Sequence, residues 1–195
     1  LEHPPLSDAP PGQRGCYYGE LVNALNTDVY TLSSDKARNG DFLQPEFTIH
    51  GFRHAEITGL ESLAAEDIEA VVIGSSMTQN SSLRLGSALL QKIQNATVWG
   101  HRANTQDIFT DCNQRDERLG WMGDAAISAE AASYNFPGMD GVAGVQAQFL
   151  DMIADGQGDD GAVSDITPTV WQLGAMQPSD ASWGSAFPTM AYRVW

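Results

Sequence analysis

The stretch from Asn104 to Asp124, NTQDIFTDCNQRDERLGWMGD, gathers Asp107, Asp111, Asp116, Glu117 and Asp124 with Arg115, Arg118 and Trp121. Charges at this density stand out in a chain that is only 18% charged. Alternating acids and arginines ordinarily mark a solvated face. This run is instead bracketed by apolar Ile108-Phe109 and by Leu119-Gly120-Trp121. The bracketing predicts a cleft with paired charges, because carboxylates taken out of water need partners. A structural salt-bridge knot is the competing reading. Neighbouring carboxylates raise a carboxyl pKa and neighbouring arginines lower it. The spacing of Asp111, Asp116 and Glu117 is therefore suitable material for acid–base chemistry, with one carboxyl kept protonated among ionised ones.

The elements around this run change in texture along the chain. Residues 1–16 are rich in Pro, Gly and Asp and read as an extended entry. Apolar alternation predicts strands over 19–23 and 27–33. Phe47, Ile49, Phe52 and Ile57 predict one long strand bent at Gly51, and Ala70–Gly74 reads as another. From Leu83 the spacing of Leu85, Leu89, Ile93, Ala96 and Trp99 is helical, with Ser82 as N-cap. Further helices are expected over 121–135, closed by Phe136-Pro137-Gly138, and over 140–154. The domain boundary therefore falls near Thr78–Ser82, separating a β-like segment (1–79) from a helical one (80–195).

Other classes are disfavoured by composition. The formal net charge is −15, with lysine only at Lys36 and Lys92, which argues against nucleic acid and anionic membranes. No apolar run approaches the length of a membrane-spanning helix, and no charged-then-apolar leader follows Leu1. The acidity suits a secreted or periplasmic setting and a neutral or cationic partner. Cys16 and Cys112 are the only cysteines, too few for a disulfide framework. His3, His50, His54 and His101 are scattered, and no zinc motif occurs. His50 and His54 are four apart, but the intervening residues read as strand, so no metal site is expected. Asn80-Ser-Ser82 and Asn95-Ala-Thr97 match the N-glycosylation pattern, which matters only in a secreting eukaryote.

The run Asp111–Asp124, DCNQRDERLGWMGD, resembles the signature DCPQRDERLGWTGD of bacterial α-L-rhamnosidases, glycoside hydrolase family 78. Asn113 stands where that family usually has Pro, and Met122 where it has Thr. Pro45 to Gly59 is similar to a second landmark, PxFTxHGFRYxEVxG, with His54 in place of Tyr. Asp180–Pro188 is similar to a third, a Trp-Gly-Asp-Ala-x-x-Pro run that opens a helix at the active-site mouth, with Ser185 in place of Asp. The landmarks occur in family order.

The resemblance implies an α+β chain: the C-terminal part of a β-sandwich followed by an incomplete (α/α)6-barrel-like region. It implies an inverting hydrolase that releases terminal α-L-rhamnose without a cofactor. Such an enzyme uses a protonated carboxyl to release the glycosidic oxygen and an opposing carboxylate to activate water. By resemblance Glu117 is the general acid. Asp111, Asp116 and Asp124 belong to the substrate-binding set, with Asp111 and Asp124 accepting from rhamnose hydroxyls. Trp121 and Trp183 line the pocket; barrel core is their competing role. Arg115 and Arg118 support the loop, Arg115 as partner of Asp116. The family's base lies in the second half of the barrel, and no residue after Asp124 matches it. Half a barrel exposes apolar helix faces, so the remaining barrel half or a self-associated copy is the expected partner, beside a rhamnose-containing glycoside. The alternative is a non-catalytic rhamnoside-binding or interaction module. A lyase or unsaturated-uronide hydrolase is weaker, because anionic sugars call for basic residues where acids dominate here.

Overall fold

A computed structural model describes residues 26–32, 42–115, 117–169 and 180–194. The chain divides into two compact units, Leu1–Val71 with Gln114–Asp116, and Val72–Asn113 with Glu117–Trp195.

In the first unit the described residues form no regular element apart from a single 3-10 turn at Ala65–Asp67. Asp67 fixes that turn by accepting the Ala64 N–H at 2.9 Å. His50 pairs with Asp28 through Nε2 at 2.9 Å. The strand expected over 27–33 and the long one expected through Phe47, Ile49, Phe52 and Ile57 are not found among the described residues, and the one expected over 19–23 lies outside them. Alternation gives a segment two faces, but a strand also needs a hydrogen-bonded neighbour. Here Val29, Phe42, Phe47 and Ile57 are exposed. Phe47 also has φ 56°, in the left-handed region that interrupts a strand.

The second unit carries the helices. Ala88–Ala103 (α1) is capped by Ser87, whose side chain accepts from the Leu90 N–H. The helix therefore begins later than the apolar spacing suggests, and Ser82 is not its cap. The physical reason is Gln91: its Oε1 accepts the Leu85 N–H at 2.9 Å and its Nε2 reaches the Leu83 carbonyl at 3.3 Å. That clamp holds residues 83–85 out of the helix ahead of Gly86. None of α1 is buried among the described residues, and Leu89, Ile93 and Trp99 are all more than half exposed.

Thr105–Gln106 (β1) and Ile108–Phe109 (β2) form a two-stranded antiparallel pair in the register Thr105↔Phe109. Asp107 turns the corner at φ 63° and gives its N–H to Ser75 Oγ. Asp tolerates this left-handed conformation better than most residues. Asp107 is exposed there. The segment 70–74 forms no ladder among the described residues; its neighbour Ser75 donates its N–H to the Thr105 carbonyl at 2.9 Å.

Met122–Asn135 (α2) and Val142–Asp155 (α3) fall where expected, followed by Ala181–Gly184 (α4) and Ala186–Val194 (α5). Gly138, at φ 95°, turns the chain after α2. One side of α2 is small, with Ala125, Ala129 and Ala132 buried, so neighbouring helices approach closely. Val142, Val145, Phe149 and Ile153 fill the facing side of α3, at the a/d-like spacing of a core-facing helix. Met190 of α5 is fully buried in the same cluster. Phe149 meets Phe109 edge to face, centroids 5.5 Å apart, and burying each such ring contributes about 1.5–3 kcal/mol. Buried Gln146 ties α3 to α2 by donating to the Ala129 carbonyl at 3.2 Å.

Candidate active site

The acidic run folds as a loop pinched at its ends. Asp111 N–H donates to the Leu119 carbonyl at 3.1 Å, and Leu119 N–H donates to Asp111 Oδ1 at 2.8 Å. Within the pinch Arg118 takes φ 56° and donates its N–H to Cys112 Sγ at 3.4 Å. A long side chain held in the left-handed region is strained, and such strain concentrates at functional sites. The result is that one oxygen each of Asp111 and Glu117 and the sulfur of Cys112 lie within 4.8 Å of one another.

Immediately beyond, the chain is held from the other side. Thr167 N–H donates to the Gly120 carbonyl and Met122 N–H to the Asp165 carbonyl, both at 2.9 Å. A Cβ on Gly120 would stand 1.9 Å from the Thr167 carbonyl oxygen, so only glycine permits this approach. The bracing sets Trp121, whose indole N–H donates to Glu117 Oε1 at 3.0 Å. Asp165 also reaches α4: its Oδ1 accepts the Asp180 N–H at 2.9 Å. Asp180 in turn caps α4, accepting from the Ser182 N–H and hydroxyl. The Ser182 hydroxyl, then its N–H, hold the Asp180 carboxyl below the usual carboxylate range.

Glu117, Asp111 and Trp121 are half-buried and together. Trp183 is half-buried on α4 and lies against Gly123 of α2. Asp124 is exposed in the first turn of α2, where a carboxylate favours the helix dipole. Arg118 is half-buried, and its Nε is out of water with no hydrogen-bond partner among the described residues. Arg115 groups with the first unit, and Asp116 lies outside the described residues. Ser185, the departure in the third landmark, donates to the Ser182 carbonyl at 2.9 Å. Two participants had no assigned part in the sequence reading. Cys112 is adjacent to an acid in the signature, which is its only signal. Asp165 sits in a Gly- and Asp-rich loop that singles out no member.

Asp111, Cys112 and Glu117 could offer a metal one ligand atom each. Three atoms are fewer than a closed structural zinc site uses. Each also receives a donor from the chain itself, namely Leu119 N–H, Arg118 N–H and the Trp121 indole. The arrangement fits carboxyl chemistry: one acid oriented by an indole and one fixed by a backbone amide.

Comparison with known proteins bears on the same residues. The profile of the bacterial alpha-L-rhamnosidase 6 hairpin glycosidase domain matches residues 78–195, and that of the bacterial alpha-L-rhamnosidase concanavalin-like domain matches residues 12–74. An alpha-L-rhamnosidase from Streptomyces avermitilis is 32% identical over 180 residues, covering 92% of this chain and 16% of the relative. One from Formosa agariphila is 29% identical over 182 residues, covering 92% of this chain and 19% of the relative. The chain thus spans less than a fifth of the length of these relatives. Among solved structures, alpha-L-rhamnosidase from Dictyoglumus thermophilum superposes with TM-score 0.57 at 36% identity, over 62% of this chain and 13% of that one. The Streptomyces avermitilis enzyme complexed with L-rhamnose superposes with TM-score 0.54 at 32% identity, over 61% of this chain and 11% of that one. The helical region fits the six-hairpin glycosidase domain. The longer profile match takes in the pinched loop, the indole–carboxyl bond and Trp183 alike, and on it the chain belongs to the bacterial alpha-L-rhamnosidase family of glycoside hydrolases.

Proposed function

We propose that this chain forms the acid-bearing part of an inverting α-L-rhamnosidase active site. The observation that carries the reading is the half-buried Glu117 held by the Trp121 indole within 4.8 Å of Asp111. Glu117 is the general acid that protonates the departing glycosidic oxygen. Asp111 and Asp124 accept from rhamnose hydroxyls, Trp121 and Trp183 wall the pocket, and Arg115 with Asp116 and Arg118 supports the loop. The opposing carboxylate, which in an inverting site stands roughly 6.5–9.5 Å from the acid to admit a water, is assigned to no residue of this chain. We assign it to the rest of the barrel.

The profile matches at 12–74 and 78–195 support a β-sandwich segment over 1–79 joined to the first half of an (α/α)6 barrel over 80–195. The exposed Leu89, Ile93 and Trp99 of α1 suit an apolar face that further barrel helices cover. A terminal rhamnoside as ligand is supported by the L-rhamnose complex of the Streptomyces avermitilis relative.

The test is Glu117→Gln in the polypeptide as its source produces it, assayed on a natural rhamnoside and on an activated aryl rhamnoside. Hydrolysis of the natural substrate should fall by about 10²–10⁴, the usual worth of a general acid. Activated substrates should be less affected, since a good leaving group needs little protonation. Near-normal turnover of the natural rhamnoside would refute the assignment. Rhamnose binding with no turnover in the parent protein would favour a binding module.

A further inference from the structure

Gly123 is the second residue of α2, buried, in a helix rich in alanine. Glycine inside a helix costs roughly 0.5–1 kcal/mol relative to alanine. What the position gains is visible in the space beside it. A Cβ on Gly123 would stand 2.7 Å from Cε2, 2.8 Å from Cδ2 and 2.9 Å from Nε1 of Trp183. These near-equal distances place the missing atom over the face of the indole, not at its edge. The ring therefore lies against the bare helix backbone, closer than any side chain allows. Asp165 holds both sides of this contact, accepting Met122 N–H through its carbonyl and Asp180 N–H through its carboxylate.

We infer that Gly123 is a positioning residue for the rhamnose pocket: its missing side chain sets where the Trp183 indole stands, two residues along from the Trp121 that orients Glu117. The inference rests on the reading of Trp183 as a pocket wall. An alanine at 123 pushes the ring outward, into the volume a sugar would occupy. The effect passes through the ring alone, so removing the ring removes it.

The test measures the dissociation constant for L-rhamnose calorimetrically, with the thermal midpoint alongside, for Gly123→Ala, Trp183→Leu and the double variant of the source polypeptide. Each single substitution should weaken binding about tenfold, the scale of one lost aromatic contact. The double variant should bind like Trp183→Leu, because the leucine leaves room for the Cβ. If Trp183→Leu binds rhamnose normally, the pocket-wall reading itself fails. If Trp183→Leu weakens binding but Gly123→Ala does not, or if the two effects multiply to about a hundredfold, the positioning role is overturned. Should Gly123→Ala fail to fold, a folded double variant that binds like Trp183→Leu supports the inference. A double variant that also fails to fold overturns it, because Gly123 then serves helix packing alone.

Discussion

The Trp121 indole N–H donates to Glu117 Oε1 at 3.0 Å, across four residues that are not helical. Trp121 precedes α2 and is braced by the residues around Gly120 and Thr167, whereas Glu117 lies in the pinched loop. The bond therefore ties the least regular part of the site to one of its most regular.

Trp121→Phe keeps an aromatic wall and removes only the donor. A hydrogen bond to a neutral carboxyl is worth about 0.5–1.5 kcal/mol, so kcat/KM on a natural rhamnoside should fall by roughly 2–10-fold. Rhamnose affinity should change much less, since the ring remains. Equal losses in affinity and in kcat/KM would mean that the indole binds sugar and does not orient the acid.

The run that carries this bond is legible in the sequence, but the bond is not. The charge pattern, the brackets of apolar residues and the family signature all point to Asp111–Asp124. Which donor meets which carboxyl depends on Arg118 adopting φ 56° and on the double Asp111–Leu119 bond, and neither has a residue-type signal. Helices α2 and α3 are legible for the opposite reason. Their ends and faces are set by local spacing, with Phe136 and Gly138 closing the first. The start of α1 is misread because the Gln91 side chain competes for backbone groups at Leu83 and Leu85. The strands expected around Phe47 and Ile57 have no ladder among the described residues, because alternation identifies faces and says nothing of a pairing neighbour.

Burial lowers the His101 pKa below its ordinary 6.5. Its Nδ1 is out of water, and its ring meets Phe136 edge to face at 6.3 Å. The folded state then binds this proton more weakly than the unfolded chain does. Stability from this group is fully present above about 6.5 and is lost as pH falls from there through the folded pKa. Thermal midpoints across that window should decline on acidification, and His101→Gln should flatten the decline. Asp180 acts in a separate window, because its depressed pKa removes stability only as pH falls below the ordinary 3.8 of its carboxyl. An unchanged slope in the His101 variant would assign the decline to other groups.

Asp165 joins the start of α2 to the start of α4 with two different atoms. Its carbonyl bond to Met122 survives any substitution, whereas its carboxylate bond to Asp180 does not. Asp165→Ala thus frees α4 without disturbing α2. The lost bond is worth about 1 kcal/mol, little against the buried cluster of Met122, Phe149 and Met190, so the thermal midpoint should move by only a few degrees. Trp183 rides on α4, and with that helix less firmly seated L-rhamnose should bind several-fold more weakly. Asp165→Asn keeps a side-chain oxygen acceptor and should recover most of the affinity. A large drop in thermal midpoint with affinity intact would show instead that Asp165 stabilises the fold and has no part in placing the pocket wall.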